Sequence, residues 1–540
     1  MAISSTRRGV LAGASLFILA RNALAQTPSS SSAPAPQPAN KTFSEAETVA
    51  GKVRGLNVAG VSRFLGIPYG GPTSGPNRFK GPTPATAWSG VRDAFDYGPI
   101  APQVLFSPAI DYISLIDWDQ QPGGMSEDVL TLNVWTPGIG DGGKRPVLVS
   151  LHGGGFTTGS SGHSTYNGDP LARFGNVVVV TVNHRLGALG YLDLADIGAP
   201  AEYSQSGVAG MLDIVQALQW VRDNIERFGG DPDTVMVFGQ SGGGRKVSTL
   251  LAMPSGKELF HRAAVQSGSQ IRSMSRDDGT KAADLLLRQL GLDRSRMNEL
   301  YTMPWDRILT AQAALATGPV REFWPIVDGD VLPQHPFDPA APATSTDIPI
   351  IVSNCLHDAA LALTNFDLTD DGLKAVVVEL VGEAKAQQVL DLYYQSYPNA
   401  TPFQIQAALF TDRDHNRRAV TQAERKAAAG GAPVWMYRFD WPSPGYGGKF
   451  GAVHATDTAL VFHNTHLPID GDRPVAHELA DKMAAAWIAF AKTGNPNTPA
   501  MRSWSPYTVE RRETLVINAH QRAVSDPGRA FRLLWNELGV

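Results

Sequence analysis

Five apolar runs of strand length, most of them rich in β-branched residues, constrain this chain more than any other feature. They are TLNVWTP (131–137), RPVLVSLHGG (145–154), NVVVVTVNHR (176–185), TVMVFGQS (234–241) and IPIIVSN (348–354), mostly bounded by Gly, Pro or Asn. Consecutive apolar positions, rather than alternating ones, require cover on both faces of a strand, which predicts a largely parallel sheet. Helical spacing fills the intervals. In GMLDIVQALQWVRDNIERFGG (210–230), Ile214, Ala217, Leu218, Val221 and Ile225 share one face, and a glycine pair ends the helix. LADKMAAAWIAFAKTGNP (479–496) repeats the pattern and stops at Gly494. Strand alternating with helix gives an α/β architecture, a large and mostly parallel central sheet flanked by helices.

The remaining totals exclude more than they assign. A net charge of −5 over 540 residues leaves no footprint for nucleic acid or an anionic membrane surface. A lone cysteine, Cys355, excludes an internal disulfide. The first residues, with Arg7-Arg8, a short apolar stretch and Ala23-Leu24-Ala25, have the pattern of a twin-arginine export signal over 1–25. That apolar stretch is too short to span a bilayer. A periplasmic or secreted protein with no membrane anchor after cleavage is expected. A Pro/Ser/Ala-rich leader follows over 26–42, and 43–540 reads as a single domain.

Within 234–254, Gly239-Gln240-Ser241-Gly242-Gly243 matches G-x-S-x-G between a buried strand and a helix. A sharp turn there pushes one hydroxyl into solvent at a helix N-terminus, and flanking glycines avoid collision with neighbouring elements. Ser241 is the candidate nucleophile, and the N–H of Gly242 is a candidate oxyanion donor. HGGGF (152–156) follows the second strand and offers Gly153, Gly154 and Gly155 as further donors. A serine needs a base and the base an orienting acid. In the order Ser, acid, His, the candidates are Asp358, at the end of IPIIVSNCLHD, and His454, after the glycine-rich SPGYGGKFGAVH. Phe323 and Trp324 of EFWPIVDG are candidate acyl-side residues. No cofactor and no metal is implied.

Taken together, FLGIPYGGPTSGPNRFKGPTP, SEDVLTLNVWTP, HGGGF, VNHRLGALGYL and ALQWVRDNIERFGGDPDTVMVFGQSGGG resemble, in order, the signatures of type-B carboxylesterases, the cholinesterase-like family. The resemblance spans nearly the whole chain after the leader. It implies the α/β-hydrolase fold, a small-molecule ester substrate, nucleophile Ser241, oxyanion amides at Gly154, Gly155 and Gly242, acid Asp358 and base His454. Departures bear on substrate. The family's first disulfide falls on Val129 and Val104, so an apolar pair is expected in its place. The acid is Asp rather than Glu and its loop lacks the usual glycines, which keeps Asp367 and Asp370 as alternatives. The residue before the serine is Gln240 where Glu is usual, and Gly242 stands where alanine is usual. Loss of that glutamate's charge disfavours cations, although Trp118 lies about where cholinesterases hold choline. Arg245 and Lys246 add positive charge behind the serine. They favour an ester with an anionic acid part, such as the tricarballylate esters that a bacterial member of the family removes from a mycotoxin. General hydrolysis of neutral esters, amide or carbamate hydrolysis, and a non-catalytic adhesion module are the competing readings.

Overall fold

In the computed structural model, residues 42–105, 111–118, 123–316, 318 and 322–539 are described. The expected export signal and nearly all of the leader lie outside them. The described strands are β1 (Thr42–Thr48), β2 (Gly51–Val58), β3 (Val61–Pro68), β4 (Val91–Asp93), β5 (Thr131–Thr136), β6 (Arg145–Leu151), β7 (Val178–Val182), β8 (Gly230–Gln240), β9 (Arg262–Gln266), β10 (Ile350–Cys355), β11 (Val434–Phe439), β12 (Glu513–Ile517) and β13 (Arg522–Ser525). They form one sheet in the order β1-β2-β3-β5-β7-β6-β8-β9-β10-β11-β12-β13, with β4 beside β2.

From β7 to β12 every pairing is parallel. The two margins are antiparallel apart from β4, which pairs parallel with β2, and β5, expected in a parallel neighbourhood, pairs antiparallel with both β3 and β7. Central strands are buried on both sides, as their unbroken apolar runs require. Val147 and Val149 of β6 join one core cluster while Leu148 joins another; Val235 and Val237 of β8 split in the same way from Met236 and Phe238. Each such side chain contributes roughly 1.5–3 kcal/mol by leaving water.

Both expected helices form. The first runs Ala209–Asn224 and continues as a 3₁₀ turn, Ile225–Phe228, closed by Gly229 at φ 72°. The second runs Pro474–Thr493 and ends at Gly494 with φ 74°, the left-handed cap that glycine adopts without strain. Among the described residues no helix is long and apolar enough to cross a membrane.

The apolar pair expected at Val129 and Val104 is not formed as a buried contact. Val129 is fully buried, whereas Val104 is 50% exposed at the rim of a cavity. Burial of Val129 is supplied by the main core instead.

Candidate active site

Parallel strands deliver their C-terminal ends to one edge of the sheet, and ligands of open α/β sheets bind there. Ser241 follows β8 directly and caps the helix Gly242–Leu250. Its backbone is at φ 57°, ψ −122°, a conformation that L-residues avoid and that active sites retain. Its N–H donates to the Gln266 carbonyl at the end of β9, 2.8 Å away, which anchors the turn to the neighbouring strand. The glycines are required by proximity. A Cβ at Gly243 would lie 2.0 Å from the Leu151 carbonyl oxygen of β6.

The second glycine loop leaves β6. The Gly153 N–H is taken up by the Tyr166 hydroxyl at 2.9 Å, which leaves Gly154 and Gly155 as the available donors. Both have left-handed φ, 84° and 62°, and both border the cavity that contains Ser241. Gly155 approaches the serine turn so closely that a Cβ at Gly242 would meet its nitrogen at 2.3 Å and its oxygen at 2.2 Å. The two loops therefore touch backbone to backbone.

Asp358 lies three residues past β10 and is fully buried. One carboxylate oxygen accepts from His454 Nδ1 at 2.6 Å, and the other accepts from the Cys355 N–H at 2.9 Å. Burial pushes this carboxyl up, but the hydrogen bond and charge of His454 outweigh it and the net shift is downward. The missing loop glycines do not matter because a 3₁₀ turn, Asp358–Ala362, presents the side chain directly. The alternatives, Asp367 and Asp370, are both exposed, and Asp370 bonds the Tyr394 hydroxyl. The loop carrying His454 is held by Tyr112, whose hydroxyl donates to the His454 carbonyl at 3.1 Å. Ser241 and His454 border one cavity of about 950 Å³. A hydroxyl at a strained turn, an imidazole and a buried carboxylate in this order are the parts for acyl transfer.

The model of the carboxylesterase family matches residues 42–532. The chain belongs to the carboxylesterase family. It is 36% identical to para-nitrobenzyl esterase of Bacillus subtilis over 494 residues, covering 88% of this chain and 95% of that protein. The structure of carboxylesterase EST55 of Geobacillus stearothermophilus superposes with a TM-score of 0.78 at 34% identity, covering 91% of this chain and 99% of that one. Fumonisin B1 esterase of Sphingopyxis macrogoltabida is 31% identical over 490 residues, with 88% and 86% covered. At that distance it does not identify which member of the family this is. Membership supports the α/β-hydrolase fold and carboxylic-ester hydrolysis expected from the sequence.

This carboxylesterase divides the remaining candidates. Gln240 is 3% exposed and borders the cavity, with its amide nitrogen unpartnered among the described residues. Arg245 also faces the cavity, where its guanidinium sits 3.6 Å from Glu322 and 5.9 Å from the centroid of the Trp324 ring. Lys246 does not. It is fully buried, its ammonium donates to the His152 carbonyl at 3.0 Å, and burial together with Arg245 pushes its pKa well below the ordinary value. A helix turns about 100° per residue, so Arg245 and Lys246 cannot share a face. Phe323 and Trp324, expected on the acyl side, do not border the cavity. Phe323 is packed in the main core and Trp324 lies against it, beneath Arg245. Trp118 does border the cavity and packs edge-on against His163.

Several cavity residues carry no signal in the sequence. Ser267, at φ 47° just past β9, borders the cavity, and its buried hydroxyl has no hydrogen-bond partner among the described residues. Arg413, Asp414, His415 and Arg418 form one wall. Arg413 pairs with Asp414 at 2.9 Å and Arg418 with the same carboxylate at 3.7 Å. Only the QSGS run at 266–269, a polar, glycine-containing end to an apolar strand, was a usable cue.

Proposed function

We propose that this chain hydrolyses carboxylic esters through an acyl-enzyme on Ser241, preferring esters whose acid part carries a free carboxylate. The observation that carries the chemistry is the 2.6 Å bond between His454 Nδ1 and a fully buried Asp358, in the same cavity as a serine held at a strained turn. The second His454 nitrogen takes the hydroxyl proton as Ser241 Oγ attacks the ester carbonyl. Asp358 fixes the tautomer and stabilises the imidazolium. The N–H groups of Gly154, Gly155 and Gly242 receive the oxyanion, and His454 returns the proton to the departing alcohol. Water, deprotonated by His454, then attacks the acyl carbon, and Ser241 leaves with its proton restored.

The substrate preference rests on charge. Among the described residues, Arg245, Arg413 and Arg418 face Glu322 and Asp414, an excess of one positive charge on the cavity wall. A carboxylate on the acid part balances it, and tricarballylate esters are one such class. Export through the twin-arginine route is part of the same reading and rests on residues 1–25 alone; mature protein beginning at Gln26 is expected on N-terminal sequencing.

An organophosphate is expected to label Ser241 stoichiometrically and abolish ester hydrolysis. Ser241→Ala is expected to lower kcat/KM by at least about three orders of magnitude. Near-normal turnover by that variant rules out the serine mechanism. Comparison of an ester with its matching anilide and carbamate separates esterase from amidase or carbamate hydrolase action.

A further inference from the structure

The oxyanion loop is held by its carbonyls. In a trans peptide the C=O and N–H point in opposite directions, so fixing one aims the other. The Gly153 carbonyl accepts from His152 Nδ1 at 2.8 Å, and the N–H across that peptide belongs to Gly154. A carbonyl can only accept, so Nδ1 carries the proton of a ring that burial, with Lys246 and His184 beside it, keeps neutral. The Gly154 carbonyl accepts from the Thr158 N–H at 3.0 Å, and the N–H across that peptide belongs to Gly155. The peptide before these two, 152–153, is gripped on both sides. Its N–H donates to the Tyr166 hydroxyl at 2.9 Å, and its carbonyl accepts from Lys246 Nζ at 3.0 Å.

Lys246 is the member of this set without an assigned task. It is fully buried, and no carboxylate pairs with it among the described residues. A buried amine with no acid beside it is costly, and an apolar side chain would fill the same space without that cost. Its polar contacts are confined to the loop. Besides the His152 carbonyl, Nζ lies 5.8 Å from the centroid of the Phe156 ring, so it meets the first and last residues of HGGGF. The amine keeps N–H groups whether or not it is protonated, so its grip on the carbonyl does not depend on its charge. Lys246 also rides on the helix Gly242–Leu250, which follows Ser241 and opens with the Gly242 donor. One side chain thus joins the two halves of the oxyanion hole without bordering the cavity.

We propose that Lys246 is a positioning residue, which holds the His152–Gly153 peptide so that the Gly154 and Gly155 N–H groups stay in register with that of Gly242. This rests on the ester-hydrolase reading and adds to it what sets the geometry of the oxyanion hole.

The test uses the full-length protein, p-nitrophenyl butyrate as substrate and two ketones as inhibitors. The electron-poor carbonyl of 1,1,1-trifluoroheptan-2-one accepts Ser241 Oγ: the O–C bond forms, the π pair becomes an oxyanion, and His454 keeps the hydroxyl proton. Heptan-2-one occupies the same cavity without that adduct. The fluoroketone is expected to bind at least about 10²-fold more tightly. Lys246→Met nearly keeps the side chain's length and removes the donor. It is expected to lower kcat about tenfold with KM within about threefold, and to weaken the fluoroketone about tenfold while heptan-2-one changes less than twofold, the worth of one net hydrogen bond. Inhibition is read only from molecules that turn over substrate, so a misfolded fraction does not affect it. Equal losses on both ketones, the mark of a lysine that merely packs, overturn the assignment, and so does no loss on either. Should Lys246→Met fail to fold, Lys246→Gln, whose amide ends one bond short of the carbonyl, carries the same expectation and the same overturning results. A fluoroketone no tighter than heptan-2-one in the unaltered protein, with no turnover of p-nitrophenyl butyrate, strikes the ester-hydrolase reading itself.

Discussion

The floor of the cavity and its wall are built by different rules. On the floor, Ser241, Ser267 and Asp358 lie within three residues of the ends of β8, β9 and β10. Backbone hydrogen bonds tie them there, Ser241 N–H to the Gln266 carbonyl and Cys355 N–H to the Asp358 carboxylate. The wall comes from segments off the sheet: the π-helical turn Asp412–Asn416, Glu322, and the short helix Asp111–Leu115 with Trp118 beyond it. Its charges are partly exposed, and its ion pairs extend to 3.6 and 3.7 Å. Moving a floor residue means moving strands buried on both faces. Changing one of the wall's charged residues costs less, because Arg245, Glu322, Arg413 and Asp414 are partly exposed and belong to no core cluster. Reaction chemistry is thus fixed by topology, and selectivity is left to the parts that can vary.

The sharpest way to break this contrast is at Asp358. In Asp358→Asn the Cys355 N–H would hold the amide oxygen, since the amide NH₂ cannot accept from it. The NH₂ would then face His454 Nδ1 and force the opposite tautomer, with the proton on the nitrogen that must act as base. A loss of about 10⁴-fold in kcat is expected with little change in folding, read by steady-state kinetics beside a thermal melt. Loss of less than about tenfold would show that the floor's hydrogen bonds are not what orients the imidazole.

Legibility in the sequence follows the same division. The strands at 145–154 and 234–241 were readable because burial on both faces forces an unbroken apolar run, and the turns after them because close backbone approach demands glycine. That Asp358 and His454 come together was readable from chain order and their places beyond a strand and a glycine loop, even though the acid's loop departs from the family pattern. The wall was not. Arg413, Asp414 and His415 are consecutive polar residues that look like a solvated helix face, and only a π-turn brings them to one side. Phe323 failed for the converse reason, since an aromatic near a motif is satisfied as well by a core as by a ligand. Lys246 failed because adjacency in sequence places two helical side chains on different faces.

Gly242 tests whether the two floor loops need their close contact. The methyl in Gly242→Ala would lie 2.2–2.3 Å from Gly155 backbone atoms, which have no rotamer to yield, so the Gly154–Gly155 segment must shift. Withdrawal of one oxyanion donor costs about 10²-fold in kcat. That loss is expected here, with binding of a non-hydrolysable inhibitor largely preserved. Since alanine is usual at this place in the family, undiminished activity would mean that the loop can retreat to an equivalent geometry and that its approach is a consequence of glycine rather than a requirement.

The smallest effect belongs to the wall. Arg245→Ala removes a guanidinium held by one 3.6 Å contact to Glu322 and by the Trp324 ring, both replaceable by water. A monoester of a dicarboxylic acid is expected to lose about tenfold in kcat/KM, mostly through KM, while its neutral methyl diester changes by less than about twofold. Arg245→Lys should recover part of the loss, because a point charge attracts the carboxylate but cannot grip both oxygens. The loss should also shrink as salt is raised, since the pair is only half-buried. Equal losses on both esters would mean that Arg245 serves by neutralising Glu322 near the oxyanion loop rather than by meeting the substrate. The wall would then share the floor's task, and the division between chemistry and selectivity would have to be redrawn at Arg245.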